Sequence, residues 1–433
     1  MRDSGRNGNT WPHNRQIAAH GRAKGDGIGY DFRMQATSPR AVGQDNTVSA
    51  GLWENPDTHW GEVVAVYAHF PFCRHLCTYC DFDKFAGIER LIGPYSDAMV
   101  EQVRRSPQAR AVSLYVGGGT PSLMEPGHAV ALVAACRDRF GLAESAETTI
   151  EANPTGLDQD RLRGFREAGF NRLSLGIQSA DSRLLRLLGR RHRHEDSLAA
   201  VEQARKAGFS NISVDLIYGL PYQTLESWRA TLEATVEIGV EHLSCYMLTV
   251  EQGTPLERGV SRGTIPTPDD DLAAAMYEET TSVLRGMGYQ RYEISNWALA
   301  GRESAHNRVY WRNQPYLAIG AGAAGYWLGR RYKIRPDVAG FIERASRGRL
   351  ALAENEQVDE ARAMSESLIL GLRLAEGVAR EAFRSRHGRW PEELFGDSLS
   401  WADELGLLDR SGDRLTLTEK GILLSNELFE RLL

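Results

Sequence analysis

The run HFPFCRHLCTYCDF, residues 69–82, decides how this sequence folds and what chemistry it supports. It holds three of the five cysteines of the 433-residue chain, Cys73, Cys77 and Cys80, in a C-x3-C-x2-C spacing. Thiolates this close can fold back around one metal centre, and Cys thiolates are the ligands of iron–sulfur clusters. Three ligands leave one iron of a [4Fe–4S] cluster open, and an open position marks a reactive metal site rather than a structural one.

Two other interpretations of the same spacing stay open. A zinc knuckle would take His75 or Asp81 as its fourth ligand. Alternatively, the three cysteines are close in the sequence by coincidence and bind no metal.

Short β-branched runs and amphipathic helical patterns alternate along the chain after this point. The strand candidates are VVAVYAHF (63–70), AVSLYVGG (111–118), ETTIEAN (147–153), RLSLGIQ (172–178), ISVDLIYG (212–219) and HLSCYML (242–248). Such alternation predicts βαβ units and a parallel sheet. Six units in series indicate an α/β fold, a partial (β/α)6 TIM-like barrel. A doubly wound sheet is the alternative, weakened because no G-x-G-x-x-G follows the first strand.

Polar residues and glycines fall where the predicted strands end, which is where β/α barrels keep their chemistry. The first strand runs directly into the cysteine loop. The others end in Gly117–Pro121, in Glu151 and Asn153, and in Gln178, and Asp215 lies late in the fifth. Each one alone is explained as a turn former or a satisfied polar residue. Because these strand ends would all lie at the same end of the predicted barrel, the residues together predict a functional site there.

Composition and charge narrow the class of protein. The chain is 42% hydrophobic and 25% charged, as in ordinary soluble globular proteins, and its length predicts two or more domains. A net charge of −6 argues against a dedicated nucleic-acid binder. We expect a reducing cytoplasm, because five cysteines make no disulfide framework and neither a membrane span nor a signal peptide is evident.

The two ends of the chain differ from its centre. Residues 1–60 show no periodicity and are predicted to be a disordered tail. Residues 61–300 hold the predicted barrel, and residues 301–433 form a second, mainly helical domain. There LLDRSGDRLTLT (407–418) predicts a hairpin after helices, as in a winged-helix module. Acidic residues balance basic ones in it, which favours packing or partner docking over DNA binding.

Several motifs in the same order resemble the radical S-adenosylmethionine (SAM) superfamily. They are YAHFPFCRHLCTYCDF, GGGTPSL, ETTIEANP, RLSLGIQS followed by LLGRRH, and VDLIYGLP. They are similar to the oxygen-independent coproporphyrinogen III oxidase group, and within it to the HemW heme chaperones, over roughly residues 63–430. The resemblance implies a [4Fe–4S] cluster on the three cysteines. It also implies SAM contacts at Tyr67, Tyr79, Gly118, Gly119, Thr120, Glu151, Gln178, Arg190 and Asp215.

Two positions separate the subgroups of this family. Coproporphyrinogen dehydrogenases carry a fourth cysteine where this chain has Phe82. The run HNRVYW (306–311) matches the H-N-x-x-Y-W signature of the HemW group. The resemblance therefore implies heme as a further cofactor, and His306 is a candidate axial ligand with Tyr310 and Trp311 stacking on the macrocycle. The alternative for His306 is a hydrogen-bonded histidine that packs a loop on the barrel.

The function that this resemblance implies is heme binding and delivery to acceptor hemoproteins, with no catalytic residue assigned. Oxidative decarboxylation of coproporphyrinogen III and radical SAM chemistry on another substrate stay open as alternatives. The partner hypotheses are heme and acceptor hemoproteins without nucleic acid, a homodimer, and peripheral membrane association through acceptors. Cys136 and Cys245 lie in a predicted helix and strand and are expected to be buried apolar residues.

Overall fold

Six parallel strands form the centre of one large sheet and follow each other in sequence order. The computed structural model describes residues 63–433, so the predicted tail over residues 1–60 lies outside the described residues. The strands are β1 (Val63–Phe70), β2 (Arg110–Gly118), β3 (Glu147–Ala152), β4 (Arg172–Gln178), β5 (Ile212–Tyr218) and β6 (His242–Met247). A doubly wound sheet reverses its strand order at a central strand. The sequential order therefore confirms the partial β/α barrel.

Helices connect these strands and cover one face of the sheet. They are α1 (Ile92–Arg105), α2 (Pro126–Phe140), α3 (Gln159–Ala168), α4 (Ser182–Leu187), α5 (His194–Lys206) and α6 (Leu225–Glu237). In β1, Val64, Val66 and Ala68 join the main hydrophobic core, whereas Ala65 belongs to a second apolar cluster. Strands of a parallel sheet are buried on both faces, which is why they appear as near-continuous apolar runs in the sequence.

The sheet continues beyond the predicted strands on both sides. At the β6 edge lie β8 (Asn296–Ala298) and β7 (Gln290–Glu293), and at the β1 edge lie β9 (Tyr316–Ile319), β10 (Ala324–Trp327), β11 (Arg330–Ile334) and β12 (Leu352–Gln357). Strand β9 is parallel to β1, and the others pair antiparallel. The sheet therefore includes residues on both sides of position 300, where the division into two domains stays a prediction.

The helices of this part flank the extended sheet. They are α7 (Pro255–Ser261), α8 (Asp270–Gly286), α9 (Ala305–Trp311) and α10 (Val338–Ser346). Helix α8, with 17 residues, is the longest of these four. Within residues 63–433, none of the helices has the length and apolarity needed to cross a membrane.

The last part of the chain is helical with a small separate sheet. It contains α11 (Glu360–Arg373), β13 (Val378–Ala379), α12 (Arg380–His387), α13 (Pro391–Glu404), β14 (Leu408–Asp409), β15 (Arg414–Leu417), α14 (Glu419–Leu423) and α15 (Ser425–Leu432). Strands β14 and β15 pair antiparallel, with Leu408 opposite Leu417, and the strand order is β13-β15-β14. The predicted hairpin after helices is confirmed.

Candidate cofactor-binding site

One cavity of about 260 Å³ opens at the carboxyl ends of the parallel strands and is lined by every residue that the family resemblance assigned to a cofactor. Its walls include the cysteine triad and the residues predicted to contact SAM, which are Tyr67, Tyr79, Gly118, Gly119, Thr120, Glu151, Gln178, Arg190 and Asp215, together with His306. The loops and strand ends that carry these residues are far apart in the sequence. The barrel topology brings them together, as the strand-end argument predicted.

The cysteine loop closes on itself at its base. The amide of Cys73 donates a hydrogen bond of 2.9 Å to the carbonyl of Phe85, and the amide of Phe85 donates one of 2.7 Å to the carbonyl of Pro71. Phe72 and Phe85 form an isolated parallel bridge. These contacts therefore fix the two ends of the loop, and the three thiols are presented from a closed backbone ring.

The middle of the loop is held by residues from elsewhere in the barrel. The amide of Thr78 donates to the carbonyl of Leu188 at 3.1 Å, and its hydroxyl donates to the carbonyl of Leu187 at 2.6 Å. The amide of Leu256, at the start of α7, donates to the carbonyl of Thr78 at 2.9 Å. These bonds attach the backbone beside Cys77 to the segment after α4 and to α7.

Two of the thiol sulfurs receive hydrogen bonds from predicted site residues. The hydroxyl of Thr120 donates to Sγ of Cys73 at 3.6 Å, and Nη1 of Arg190 donates to Sγ of Cys77 at 3.7 Å. Hydrogen bonds to sulfur stabilise thiolate ligands and tune the reduction potential of iron–sulfur clusters. The donor set therefore fits a cluster held by three thiolates.

The thiol of Cys73 must lose its proton before it can bind a metal. Burial raises the pKa of Cys73 to about 11, and the hydrogen bond from Thr120 acts in the opposite direction. Among the described residues, no three His, Cys, Asp or Glu side chains converge closely enough to hold a single metal ion. A [4Fe–4S] cluster does not require that convergence, because its cysteines ligate different irons.

Gly118 and Gly119 are required by contacts inside the protein. At Gly118, where φ is 111°, a Cβ atom would stand 2.5 Å from the His69 ring, and at Gly119 it would stand 2.6 Å from the carbonyl oxygen of Phe72. The amides of Gly119 and Thr120 bond to the carbonyls of Phe70 and Phe72 at 2.9 and 2.7 Å. The glycine segment thereby fixes the start of the cysteine loop.

Glu151 is fixed in the cavity wall by two donors. The hydroxyl of Tyr115 donates to Oε1 at 2.7 Å, and the amide of Gly118 donates to Oε2 at 3.1 Å. The ring of Tyr115 stacks on that of Tyr67, with centroids 6.3 Å apart. Burial raises the pKa of both tyrosines well above the ordinary value. Each hydroxyl is therefore a neutral hydrogen-bonding group.

Gln178 and Arg190 meet at an irregular point of β4. The pairing of β4 with β5 shifts register between Gly176 and Gln178, and Gln178 has φ of 68°, a conformation that residues other than glycine rarely adopt. Nη2 of Arg190 donates to the carbonyl of Gly176. Within residues 63–433, Oε1 of the buried Gln178 has no hydrogen-bond partner. Gln178 lines the cavity, and its side-chain amide is a group that can hydrogen-bond the hydroxyl and amine groups of SAM.

Tyr79 occupies the apolar side of the loop. Its side chain is 8% exposed and belongs to a hydrophobic cluster with Leu188, Ile217 and Leu248, against which Cys77 and Cys80 pack. An apolar wall excludes water from a metal site and lowers the local dielectric. Asp215 lies on β5 and lines the same cavity, opposite Gly176 in the register of β4 and β5.

His306 is buried at the start of α9 and both of its ring nitrogens are engaged. Nδ1 shares a hydrogen bond of 2.9 Å with the hydroxyl of Ser113, and Nε2 shares one of 2.8 Å with the hydroxyl of Tyr310. Burial lowers the pKa of His306 to about 3. Axial ligation of heme would break at least one of these bonds. The geometry therefore favours the alternative, a hydrogen-bonded histidine that packs α9 on the barrel.

Sequence analysis missed several residues of the cavity wall. Tyr115 lines the cavity and lies on the same face of β2 as Gly117, and the two-residue period of that strand was the signal that could have identified it. Glu293, Asn296 and Arg373 also line the cavity but come from β7, β8 and α11. No motif marks these three residues, because their approach depends on long-range packing. Cys136 and Cys245 are completely buried in the main core, as expected.

Comparisons with known proteins agree with the fold and the site. The family model of the radical SAM superfamily matches residues 67–235, and that of the HemN C-terminal domain matches residues 358–424. A solved structure of coproporphyrinogen III oxidase (HemN) from Escherichia coli superposes with a TM-score of 0.75 at 23% identity, covering 88% of this chain and 91% of that one. At this identity the superposition shows a shared fold.

Two relatives extend along nearly the whole described part of the chain. Heme chaperone HemW of Lactococcus lactis is 35% identical over 370 residues, covering 85% of this chain and 97% of its own length. Heme chaperone HemW of Bacillus subtilis is 35% identical over 370 residues, covering 84% of this chain and 98% of its own length. This chain therefore belongs to the HemW family within the radical SAM superfamily.

Proposed function

We propose that this protein is a heme chaperone that binds heme and delivers it to acceptor hemoproteins in the cytoplasm. The observation that carries the proposal is the 35% identity to HemW of Lactococcus lactis, which extends over 97% of that protein. Two features of the chain support it. Phe82 stands where coproporphyrinogen dehydrogenases carry a fourth cysteine, and residues 306–311 match the signature of the HemW group. A homodimer and membrane association through acceptors stay predictions.

The residues of the cavity are suited to two further cofactors. Cys73, Cys77 and Cys80 would hold a [4Fe–4S] cluster, and the part of the wall that contains Glu151 and Gln178 would hold SAM. When bound, the cluster supplies an open iron position and an electron. The chain itself contributes thiolate ligands, hydrogen bonds to two of the sulfurs, fixed acceptors for SAM and an apolar wall against water.

These wall residues orient ligands and need not transfer protons. Tyr115 is a neutral donor to Glu151, so the carboxyl group of Glu151 keeps one orientation in the cavity wall. Arg190 reaches across from the segment after α4 and contacts the sulfur of Cys77. The arrangement supports binding of an anionic cluster and of a ligand with amine and hydroxyl donors.

The test compares heme binding with coproporphyrinogen turnover on one preparation of the full chain. The protein is reconstituted anaerobically with iron and sulfide and divided into two samples. Heme is titrated into the first while the Soret band is followed, and coproporphyrinogen III, SAM and a reductant are added to the second. We expect saturable heme binding and no protoporphyrinogen IX.

Two controls sharpen that test. Cys77→Ala removes a triad thiol, whereas Cys136→Ala removes a thiol buried in the core far from the triad in sequence. Loaded protein should also transfer heme to an excess of an apo-hemoprotein. Formation of protoporphyrinogen IX that depends on Cys77 would contradict the chaperone assignment and favour the decarboxylase. Absence of saturable heme binding would likewise refute it.

A further inference from the structure

A nearly buried ion pair holds the last part of the cysteine loop from outside the parallel strands. Nζ of Lys333, on β11, lies 2.9 Å from Oδ2 of Asp83, three residues after Cys80. The two side chains are only 6% and 14% exposed. Charges removed from water are costly unless they are paired, so each of these groups depends on the other. The ion pair therefore connects the cysteine loop to the extension of the sheet.

The backbone of Asp83 continues this connection to the opposite wall of the cavity. Nε2 of His69 hydrogen-bonds the carbonyl oxygen of Asp83 at 2.8 Å, and Nδ1 of His69 bonds the hydroxyl of Tyr67 at 2.9 Å. Tyr67 is a predicted SAM contact and lines the cavity. One unbroken series of contacts thus leads from Lys333 through Asp83 and His69 to Tyr67.

The turn between β9 and β10 lies very close to the side chains of Asp83 and His69. Gly322, in the turn between β9 and β10, has φ of 86°, and a Cβ atom there would stand 2.9 Å from Cβ of Asp83 and 3.3 Å from the His69 ring. Only glycine leaves room for both side chains. The segment from β9 to β11 is therefore shaped around Asp83 and His69, and Lys333 adds the charge that the Asp83 carboxylate needs.

Nearer the triad, the same part of the loop has a local clamp. Nζ of Lys84 donates to the carbonyl of Cys80 at 2.5 Å and to that of Phe82 at 3.3 Å. Lys84 turns the backbone within the loop, whereas Lys333 fixes the loop to the rest of the protein. The two lysines therefore act on the same stretch of the loop, residues 80–84, in different ways.

We infer that Lys333 is a positioning residue for the cofactor site: through Asp83 it fixes the loop segment that carries Cys80 and, through His69, the hydroxyl of Tyr67. Lys333 lies outside residues 67–235, which match the radical SAM superfamily. The extension of the sheet is therefore part of the site. This inference rests on the proposed cluster and SAM site and is independent of heme.

The first test measures the loop without any cofactor. Hydrogen exchange of the apo full chain is followed in peptides that cover residues 71–85, where the amides of Cys73 and Phe85 report on closure of the loop. We expect Lys333→Met, which keeps the length of the stem, to accelerate exchange there by about tenfold or more, since it leaves the Asp83 carboxylate nearly buried without its partner. Peptides from α15 should be unchanged.

Three variants separate positioning from general loss of stability. Lys206→Met removes a lysine from an exposed ion pair with Glu202 and should leave the loop unchanged. Asp83→Asn should accelerate exchange of the loop as Lys333→Met does. In the double variant the second substitution should add less than its separate effect, because the two residues act as a pair. Circular dichroism confirms that each variant is folded.

The second test adds the cofactors and distinguishes this inference from the proposed function. We expect Lys333→Met to bind less iron per chain on reconstitution and to bind SAM at least about fivefold more weakly than wild type. If the wild-type chain binds no iron, the proposed cluster is wrong, and the exchange measurement still decides the role of Lys333. Unchanged exchange over residues 71–85 in folded Lys333→Met and Asp83→Asn would overturn the inference.

Discussion

The thiol of Cys73 should react more slowly in the folded apo protein than in the unfolded chain. Burial raises the pKa of Cys73 from 9.0 to about 11, and the residue is only 8% exposed. Below pH 9, this rise lowers the thiolate fraction by about a hundredfold, and the thiolate is the reacting species. A more basic thiolate is also a better nucleophile, with a Brønsted coefficient of about 0.4–0.5. The higher nucleophilicity therefore offsets nearly tenfold of the loss in alkylation rate. The net expectation is alkylation slower by about tenfold, before restricted access is added.

The assay is alkylation of apo protein with iodoacetamide at pH 8, with the modified peptides quantified by mass spectrometry over time. The same reaction in concentrated urea gives the reference rate for each cysteine. The hydrogen bond from Thr120 lowers the pKa of Cys73. Thr120→Val removes this bond and should therefore slow the reaction further. Cys136, completely buried and with its pKa raised to about 12, supplies a second protected thiol.

The same reasoning gives the direction of the pH dependence of cluster assembly. Metal ligation requires the thiolate, so binding releases the proton of Cys73, and assembly should become more favourable as the pH rises towards 11. If Cys73 in the folded apo protein were alkylated as fast as in urea, the buried, protonated state of this thiol would be refuted. The explanation of the pH dependence would then fail with it.

Three further predictions concern the ligands. Anaerobic reconstitution should give about four irons per chain, and we expect Cys77→Ala to abolish cluster binding in iron and sulfide analysis, whereas Cys245→Ala retains it. Asp215→Ala should weaken SAM binding about tenfold or more in calorimetric titrations, because a hydrogen bond to a charged group contributes about 1.5–3 kcal/mol; unchanged affinity would remove Asp215 from the pocket. His306→Ala should keep the heme affinity and Soret band of wild type, because both ring nitrogens of His306 form hydrogen bonds within the protein. Loss of the band would instead support His306 as the axial ligand of heme.

Local patterns in the sequence were sufficient to predict the centre of the fold. The six parallel strands were placed within one residue at each end, because a strand buried on both faces leaves a continuous apolar run. Strands β9 to β12 were missed. They are four to six residues long, and β12 is exposed along most of its length, so neither an apolar run nor a clear alternation marks them.

The site was predictable in its members but not in their partners. Motifs identified Cys77 and Arg190, yet the contact between them joins positions that are 113 residues apart. The contact of Ser113 with His306 joins positions that are 193 residues apart. Such pairs depend on the register of neighbouring strands and on helix packing, which no local pattern determines. Consequently, His306 could be recognised from its motif, and a hydrogen-bonded histidine could be offered as an alternative, but its partner Ser113 could not be identified.

Phe82 shows why one substitution carries weight for function. Phe82 lines the cavity together with the cysteine triad, and its carbonyl accepts a hydrogen bond from Nζ of Lys84. The backbone is thus held at this position, where the resemblance implies a fourth cysteine in coproporphyrinogen dehydrogenases and this chain has a phenyl side chain. A thiol can donate a hydrogen atom or change its redox state, and a phenyl ring can do neither. Any chemistry that depends on a thiol at this position is closed to this chain, whereas binding and delivery of heme require none there.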